Sequence, residues 1–307
     1  MPDPYIVLHA GFHKTGAAGL HKILDRNEDA LQKRGINAVH HRHMRKNFTA
    51  PCQQNAGGSR QTVMDDRKLR KVTGRFFDQV KKDGPDRLIL TDQNIAGSIR
   101  PAIKTGQLYR HAGPIMKVVA QQIPFAVNEI HLVVRNYADF FTALYLDYIA
   151  DLKRHDTDFV TPQSMCDAVF KRLSGWHDVV RPIRSQLPRS KIILWRFEGF
   201  DQATAGMTPL LQHLVGEKID ATSLETGKRS KKGPAISNRA VAELGLLMKS
   251  DGAKVKRETL QAVLKSYPDD PPFDPWQDWE RAHLDRLYDR DIVRLGTDKA
   301  ITIMQPA

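Results

Sequence analysis

The stretch that decides the interpretation of this chain is YIVLHAGFHKTGAAGL, residues 5–20. It begins with the short apolar run Tyr5–His9, which has the length and β-branched composition of a buried strand. A glycine-containing loop follows, and apolar residues at helical spacing start at Ala18. Free backbone N–H groups and the positive end of a helix dipole converge where such a loop enters a helix. The stretch therefore predicts an anion-binding loop in an α/β protein.

Further apolar runs of strand length occur along the chain, and stretches of helical period separate them. The other predicted strands are Arg87–Thr91, Glu129–Val134 and Lys191–Trp195. The predicted helices are Ala18–Lys33, Lys68–Lys81, Leu108–Gln122, Ala138–Leu152, Gln163–Ser185, Thr208–Leu214, Asn238–Lys249, Glu258–Lys265 and Trp276–Leu295. This alternation predicts a three-layer α/β/α fold with a mostly parallel central sheet and a helical C-terminal extension. We expect a single domain over 1–307, in which 40–65 and 222–237 are mobile loops.

The composition limits the class of protein. The 307 residues include 47 Lys and Arg against 35 Asp and Glu, and the formal net charge of +12 favours an anionic partner. No apolar run reaches the roughly 18–20 residues of a membrane span, and the N-terminus lacks the pattern of a signal peptide. We therefore expect a cytoplasmic protein. Cys52 and Cys166 lack ligand spacing, which argues against a disulfide framework or a structural zinc site.

The loop differs from a Walker A loop in the placement of its lysine. Gly11 and Gly16 have the Walker spacing, but Ala17 and Ala18 stand where that motif needs a lysine and a serine or threonine. The lysine lies inside the loop instead, at Lys14, where its ammonium could compensate negative charge on a bridging oxygen. A kinase or ATPase is therefore disfavoured. We expect a P-loop-like fold whose chemistry needs no divalent metal.

The order His13-Lys14-Thr15-Gly16 resembles the 5′-phosphosulfate loop of sulfotransferases that use 3′-phosphoadenosine 5′-phosphosulfate (PAPS), especially bacterial members that start with His-x-Gly-x-x-Lys-Thr-Gly-Thr-Thr. Three further segments are similar to family motifs in the same order, up to about residue 215. LILTDQN (88–94) looks like the strand ending in Ser-x-Glu-Asn, LVVRN (132–136) like the 3′-phosphate segment, and IILWRFEGF (192–200) like the Arg-Tyr-Glu-Asp-Leu signature. The resemblance implies sulfuryl transfer from PAPS to a hydroxyl or amine of a small-molecule or glycan acceptor.

The resemblance also implies roles for individual residues. Those expected to bind the 5′-phosphosulfate lie in the loop: Gly11, His13, Lys14, Thr15, Gly16, Ala17 and Ala18. Those expected near the 3′-phosphate are Arg135, Thr142, Lys228, Arg229 and Lys232. Lys14 would compensate charge on the leaving oxygen. Asp92 or His13 would take the acceptor's proton, because Gln93 stands where these relatives usually have a glutamate and cannot act as a general base.

The sequence leaves one other function open and disfavours a second. Since Ala17, Ala18 and Gln93 lack the family's hydroxyls and carboxylate, the chain is alternatively a catalytically impaired nucleotide-binding module on the same fold. Turnover distinguishes this module from an enzyme. A nucleic-acid binder using the net charge is disfavoured, because the basic residues are scattered and no nucleic-acid-binding motif occurs.

The run His40-His41-Arg42-His43 invites interpretation as a metal site. Adjacent residues of an extended segment point to opposite faces, however, and no carboxylate or cysteine joins them at ligand spacing. We therefore expect this run to lie in a solvated loop that binds no metal.

Overall fold

The structure, a computed structural model, describes residues 3–57, 64–152, 159–202, 206–227, 235–250 and 255–304. The strands are β1 (Tyr5–His9), β2 (Ile36–Val39), β3 (Arg87–Thr91), β4 (Val127–Val134), β5 (Lys191–Arg196) and β6 (Ile301–Met304). They form one sheet in the order β2–β3–β1–β4–β5–β6, and every neighbouring pair is parallel. The predicted α/β fold with a parallel central sheet is therefore confirmed. The predicted strands are the middle ones, β3, β1, β4 and β5.

Two predicted helices are each divided in the structure. The helices are α1 (Ala17–Arg26), α2 (Glu28–Gln32), α3 (His41–Met44), α4 (Ala50–Asn55), α5 (Asp66–Val80), α6 (Ala102–Thr105), α7 (Ala112–Gln122), α8 (Tyr137–Ala150), α9 (Pro162–Arg172), α10 (Trp176–Gln186), α11 (Glu198–Gln202), α12 (Thr208–Val215), α13 (Asn238–Ser250), α14 (Arg257–Leu264) and α15 (Asp278–Gly296), with a π-helical turn at Arg45–Thr49 and a 3-10 turn at Ala221–Ser223. The predicted helix 18–33 is interrupted at Asn27, which lies between α1 and α2 and whose side-chain amide donates to the carbonyls of Ile23 at 2.8 Å and Glu225 at 3.0 Å. The predicted helix 163–185 is divided into α9 and α10.

Apolar side chains alternate between the two faces of the sheet, as a side-chain period of two requires. In β1, Ile6 and Leu8 belong to one apolar core and Val7 belongs to the other. The larger core includes residues of α4, α5, α7–α10 and α13–α15, and the smaller one includes residues of α1, α2 and α12. Helices therefore flank the sheet. None of the helices in the described ranges combines the length and apolar character needed to cross a bilayer.

The segment 40–65, expected to be a loop, is helical over 41–55, so that expectation is wrong there. Met44, Phe48 and Cys52 are each 0% exposed and pack into the larger core. Their spacing of four residues places them on one helical face. The polar residues Arg45, Lys46, Asn47 and Thr49 between them hide this periodicity in the sequence.

The C-terminal third contains more than the predicted helical extension. After α15 the chain returns to the sheet, where β6 pairs with β5 from Ile192–Ile301 to Trp195–Met304. The sequence does not predict β6 or β2, because each is only four residues long and includes polar or small residues. Both are edge strands, whereas the loop predicted to bind an anion follows β1, at the middle of the sheet.

Candidate functional site

The predicted anion loop leaves β1 at the middle of the sheet and enters α1. Lys14 and Gly16 both have left-handed backbones, with φ of 62° and 87°. The buried Thr15 hydroxyl donates to the Phe12 carbonyl at 2.6 Å, so its proton is used within the loop. The backbone N–H groups of residues 15–18 donate to no residue in the described part of the chain. The start of α1 therefore presents free donors where the helix dipole favours an anion.

Lys14 and Arg135, expected to bind different groups of one ligand, meet in the structure. Arg135 Nη1 donates to the carbonyl oxygen of Lys14 at 3.0 Å, and its guanidinium lies over the Phe197 ring at 4.7 Å. The Lys14 ammonium is directed to α8, where Nζ lies 2.6 Å from Asp147 Oδ1. The Arg135 guanidinium therefore borders the loop, whereas the Lys14 ammonium is held at α8. The ion pair with Asp147 is a contact that the sequence does not predict.

Arg135 is positioned by contacts to its own main chain and to the residue that follows it. Its carbonyl accepts from Trp176 Nε1 at 2.7 Å. The N–H of Asn136 donates to Glu198 Oε1 at 2.5 Å, and Tyr288 donates to Glu198 Oε2 at 3.0 Å. Glu198, from the segment 192–200, therefore fixes the start of α8 and with it the arginine.

Asp92, one of the two expected proton acceptors, is fully buried and already paired. Arg45 reaches it from the π-helical turn, with Nη2 at 2.6 Å and Nε at 3.2 Å from Oδ1. The N–H of Asn94 donates to the same oxygen at 3.0 Å. A buried carboxylate with these partners is poorly placed to reach an external molecule, so the geometry favours a structural role for Asp92.

His13, the other expected proton acceptor, has both ring nitrogens engaged. Nδ1 lies 2.9 Å from the Tyr109 hydroxyl oxygen, which also accepts from the His13 N–H at 2.8 Å. With the Asn94 amide oriented so that its oxygen faces Arg45, its nitrogen donates to His13 Nε2 at 2.6 Å. Burial lowers the pKa of His13 to about 4. An imidazole bonded at both nitrogens is a poor base, and the contacts suit a role in fixing the loop.

The other residues named from the sequence lie outside the loop. The Thr142 hydroxyl donates to the Ala138 carbonyl at 2.8 Å and accepts from Trp276 Nε1 at 2.9 Å, so it is committed to helix packing rather than to a phosphate. Gln93 borders a cavity of about 390 Å³ together with residues of α1 and α3. Lys228, Arg229 and Lys232, in the predicted loop 222–237, lie outside the described residues.

Behind the loop, two buried histidines share one threonine hydroxyl. His9 Nδ1 and His21 Nε2 lie 2.8 Å and 3.0 Å from Thr91 Oγ1. The His21 ring stacks on that of His41, with centroids 4.2 Å apart. Burial, together with the smaller effect of neighbouring imidazoles, lowers the pKa of His21 to about 4 and that of His9 well below its ordinary value. These rings are therefore neutral near pH 7.

We expect His21 to make the protein less stable in mild acid. In the unfolded chain the pKa of a histidine is about 6.5. Since the folded pKa of His21 is lower, the neutral ring contributes to the free energy of unfolding. This contribution is fully present above the unfolded pKa and is lost as the pH falls towards about 4. The loss between pH 7 and pH 5 is about 2 kcal/mol.

Urea unfolding at pH 7 and pH 5 checks this prediction. Between these two pH values, the free energy of unfolding of His21→Gln should fall by about 2 kcal/mol less than that of the wild type. His283→Gln, on half-buried His283 of α15, is the control and should keep the wild-type dependence. An unchanged pH dependence in His21→Gln would show that this ring is not the group protonated on unfolding.

The histidine run does not have the extended backbone expected from the sequence, because α3 begins at His41. Asp25 of α1 lies beside it, with Oδ2 3.3 Å from His40 Nε2. Ligand atoms of Asp25, His40 and His41 lie within 4.8 Å of one another, so the expectation that no carboxylate joins the run is wrong. His40 Nδ1 accepts from the N–H of Arg42 at 3.2 Å, which directs a ring proton to Nε2. This hydrogen bonding favours donation from His40 Nε2 to the Asp25 carboxylate over metal ligation.

No family model, no curated protein and no solved structure matches this chain. The fold and the site define an α/β protein with a candidate anion loop at the carboxyl end of a middle strand. Sequence reasoning does not find the roles of Arg45 and Asp147, because neither residue directly follows a predicted strand. A signal for Glu198 is present in the segment 192–200, although its contact with Asn136 is visible only in the structure.

Proposed function

We propose that the protein is a sulfotransferase that binds PAPS at the loop and transfers its sulfuryl group to a hydroxyl or amine acceptor. The observation that carries the proposal is the contact of Arg135 with the carbonyl of Lys14, beside a row of free N–H donors. Donors at a helix start suit one phosphate, and an arginine fork suits a second. A ligand with two separate phosphate groups fits this pair better than a nucleotide with one.

The residues present fit PAPS. The N–H groups of residues 15–18 would hold the 5′-phosphosulfate, and Arg135 would hold the 3′-phosphate. Lys14 would leave Asp147 and compensate charge on the bridging oxygen. When bound, PAPS supplies an activated sulfuryl group. Ala17 and Ala18 offer methyl groups where the family has hydroxyls, so affinity for the phosphosulfate depends on the main chain.

A P-loop-like fold is part of the same proposal. The first strand lies inside a parallel sheet, and its carboxyl end leads through a glycine-containing loop into α1. Ligands of open α/β sheets bind at this edge. This arrangement supports the proposed fold type.

A catalytically impaired nucleotide-binding module on this fold is the second candidate. It is favoured by the pairing of Asp92 with Arg45 and by the engagement of both His13 nitrogens, since neither expected proton acceptor is free. Such a module would bind the bisphosphate product of PAPS and transfer no sulfate. Turnover therefore separates the two candidates.

Calorimetric titration with adenosine 3′,5′-bisphosphate tests what both candidates share. We expect one nucleotide to bind per chain, more tightly than 5′-AMP, because only the bisphosphate engages both the loop and Arg135. Equal affinity for the two nucleotides, or no binding of either at millimolar concentration, would contradict the proposed site.

We expect Arg135→Ala to weaken the binding of adenosine 3′,5′-bisphosphate about thirty- to a hundredfold and the binding of 5′-AMP far less. A charge-assisted bidentate contact contributes about 2–3 kcal/mol, and only the bisphosphate has the 3′-phosphate. Arg184→Ala is the control, since Arg184 of α10 pairs with Asp298 at 3.7 Å. Asp298 precedes β6 and therefore lies at the amino ends of the strands, away from the loop at their carboxyl ends. A similar loss for both nucleotides would place Arg135 outside the 3′-phosphate site.

A further inference from the structure

We infer that Asp147 takes the acceptor's proton and that the cavity it borders is the acceptor site. This inference rests on the proposed sulfotransferase function, and it replaces both proton acceptors expected from the sequence. The observations behind it are the position of one cavity, the ion pair of Lys14 and the exposure of the Asp147 side chain.

The cavity has a volume of about 370 Å³ and lies between residues 98–103 and α8, with His13 of the loop also lining it. Small-molecule sites usually have volumes of roughly 300–1,000 Å³. Ile99, Ile103 and Leu144 are among its apolar lining residues, and His13, Arg100 and Asp147 are among its polar ones. Because His13 is the neighbour of Lys14 in the loop, a molecule in this cavity would lie beside the point of sulfuryl transfer.

The ion pair of Lys14 connects Asp147 to the reacting centre. Lys14 Nζ lies 2.6 Å from Asp147 Oδ1. In an in-line transfer the attacking and leaving atoms lie on opposite sides of the transferred group. Lys14 marks the side of the leaving oxygen, so the acceptor would attack from the cavity, which Asp147 also borders. A general base must reach that atom within one hydrogen bond.

Exposure separates Asp147 from Asp92. The Asp147 side chain is 61% exposed, whereas that of Asp92 is 0% exposed beneath Arg45. When Lys14 pairs with the negative charge of the sulfuryl donor, the Asp147 carboxylate is released from this ion pair. It can then accept a hydrogen bond from a molecule in the cavity. Asp92 would have to break its contacts with Arg45 and Asn94 first.

Transfer through Asp147 moves one proton and one sulfuryl group. The acceptor's oxygen forms a bond to sulfur, while the bond from sulfur to the bridging oxygen breaks and its electron pair leaves on the bisphosphate. The acceptor's proton passes to the Asp147 carboxylate. A small alcohol or phenol suits this cavity, because its hydroxyl gives up one proton and its carbon frame can contact Ile99 and Leu144.

Binding and turnover of the full chain together test this assignment. Calorimetry with adenosine 3′,5′-bisphosphate measures binding, and release of the bisphosphate from PAPS measures turnover, with water alone or with 2-naphthol as the acceptor. The variants are Asp147→Asn and Asp147→Ala. The control is Asp139→Asn, because Asp139 lies about two turns earlier in α8 and forms a similar ion pair, 2.8 Å from Arg281.

We expect Asp147→Asn to lower turnover about a hundredfold or more, as the loss of a general base does. The same variant should increase the affinity for the bisphosphate about two- to fivefold, because Lys14 no longer has to leave a carboxylate. Formate should restore part of the turnover of Asp147→Ala, since it fits the space that the truncated side chain leaves. Asp139→Asn should change neither quantity by more than about twofold.

The opposing outcomes are distinct. Wild-type turnover in Asp147→Asn, or no rescue of Asp147→Ala by formate, overturns the assignment and leaves the proposed function intact. A wild-type chain that binds the bisphosphate but releases none from PAPS with either acceptor overturns the assignment in favour of the binding module. Failure of the wild type to bind the bisphosphate overturns the proposed function itself.

Discussion

We expect Lys14→Met to lower the rate of sulfuryl transfer on the order of a hundred- to a thousandfold while it weakens adenosine 3′,5′-bisphosphate less than about tenfold. Removing one donor aimed at developing charge typically costs this much in rate. Charge on the bridging oxygen grows as its bond to sulfur breaks, so the lysine contact is stronger in the transition state than in the ground state. Single-turnover rates and calorimetric Kd values check the two effects separately.

The structure favours Lys14→Met as a probe of charge alone. The Lys14 carbonyl accepts from Arg135, which helps to hold the main chain independently of the side chain. The side chain pairs with the exposed Asp147, and exposed ion pairs add little to stability. Lys33→Met removes the same charge from an exposed position at the end of α2 and is the control. Equal losses of rate and affinity in Lys14→Met would contradict the role proposed for this lysine.

The middle of the fold follows from the sequence, whereas its edges do not. β1 and β3 have the bounds that their apolar runs predict, Tyr5–His9 and Arg87–Thr91. A strand buried on both faces must be apolar almost throughout, which makes it visible in a sequence. The edge strands Ile36–Val39 and Ile301–Met304 include polar residues because they are less enclosed. Only their pairing with β3 and β5 reveals them.

The site divides in the same way. Lys14 and Arg135 can be expected to meet because each follows a parallel strand, and the carboxyl ends of neighbouring parallel strands share one edge of the sheet. The burial of Asp92 cannot be anticipated, because its partner Arg45 belongs to a helical segment whose apolar periodicity is sparse. In a linear motif Asp92 resembles a catalytic carboxylate. Its exposure and its partner, which are properties of tertiary packing, change that interpretation.

We expect Arg45→Leu to lower the free energy of unfolding by about 3–5 kcal/mol, because it leaves a buried carboxylate without a counter-charge. The Asp92 side chain is 0% exposed, and Arg45 Nη2 lies 2.6 Å from its Oδ1. The remaining donor to that oxygen, the N–H of Asn94, carries no net charge. Urea unfolding at pH 7 measures the loss. The control is Arg42→Leu, which removes an exposed arginine nearby and should cost less than about 0.5 kcal/mol.

A double variant separates the buried charge from the other contacts of Arg45. In Arg45→Leu with Asp92→Asn the uncompensated carboxylate is gone, and the new amide oxygen can still accept from the N–H of Asn94, so about half of the stability should return. If Arg45→Leu alone costs no more than an exposed ion pair, about 1 kcal/mol, water reaches Asp92 in the folded protein. A hydrated carboxylate beside the loop would then compete with Asp147 as the proton acceptor.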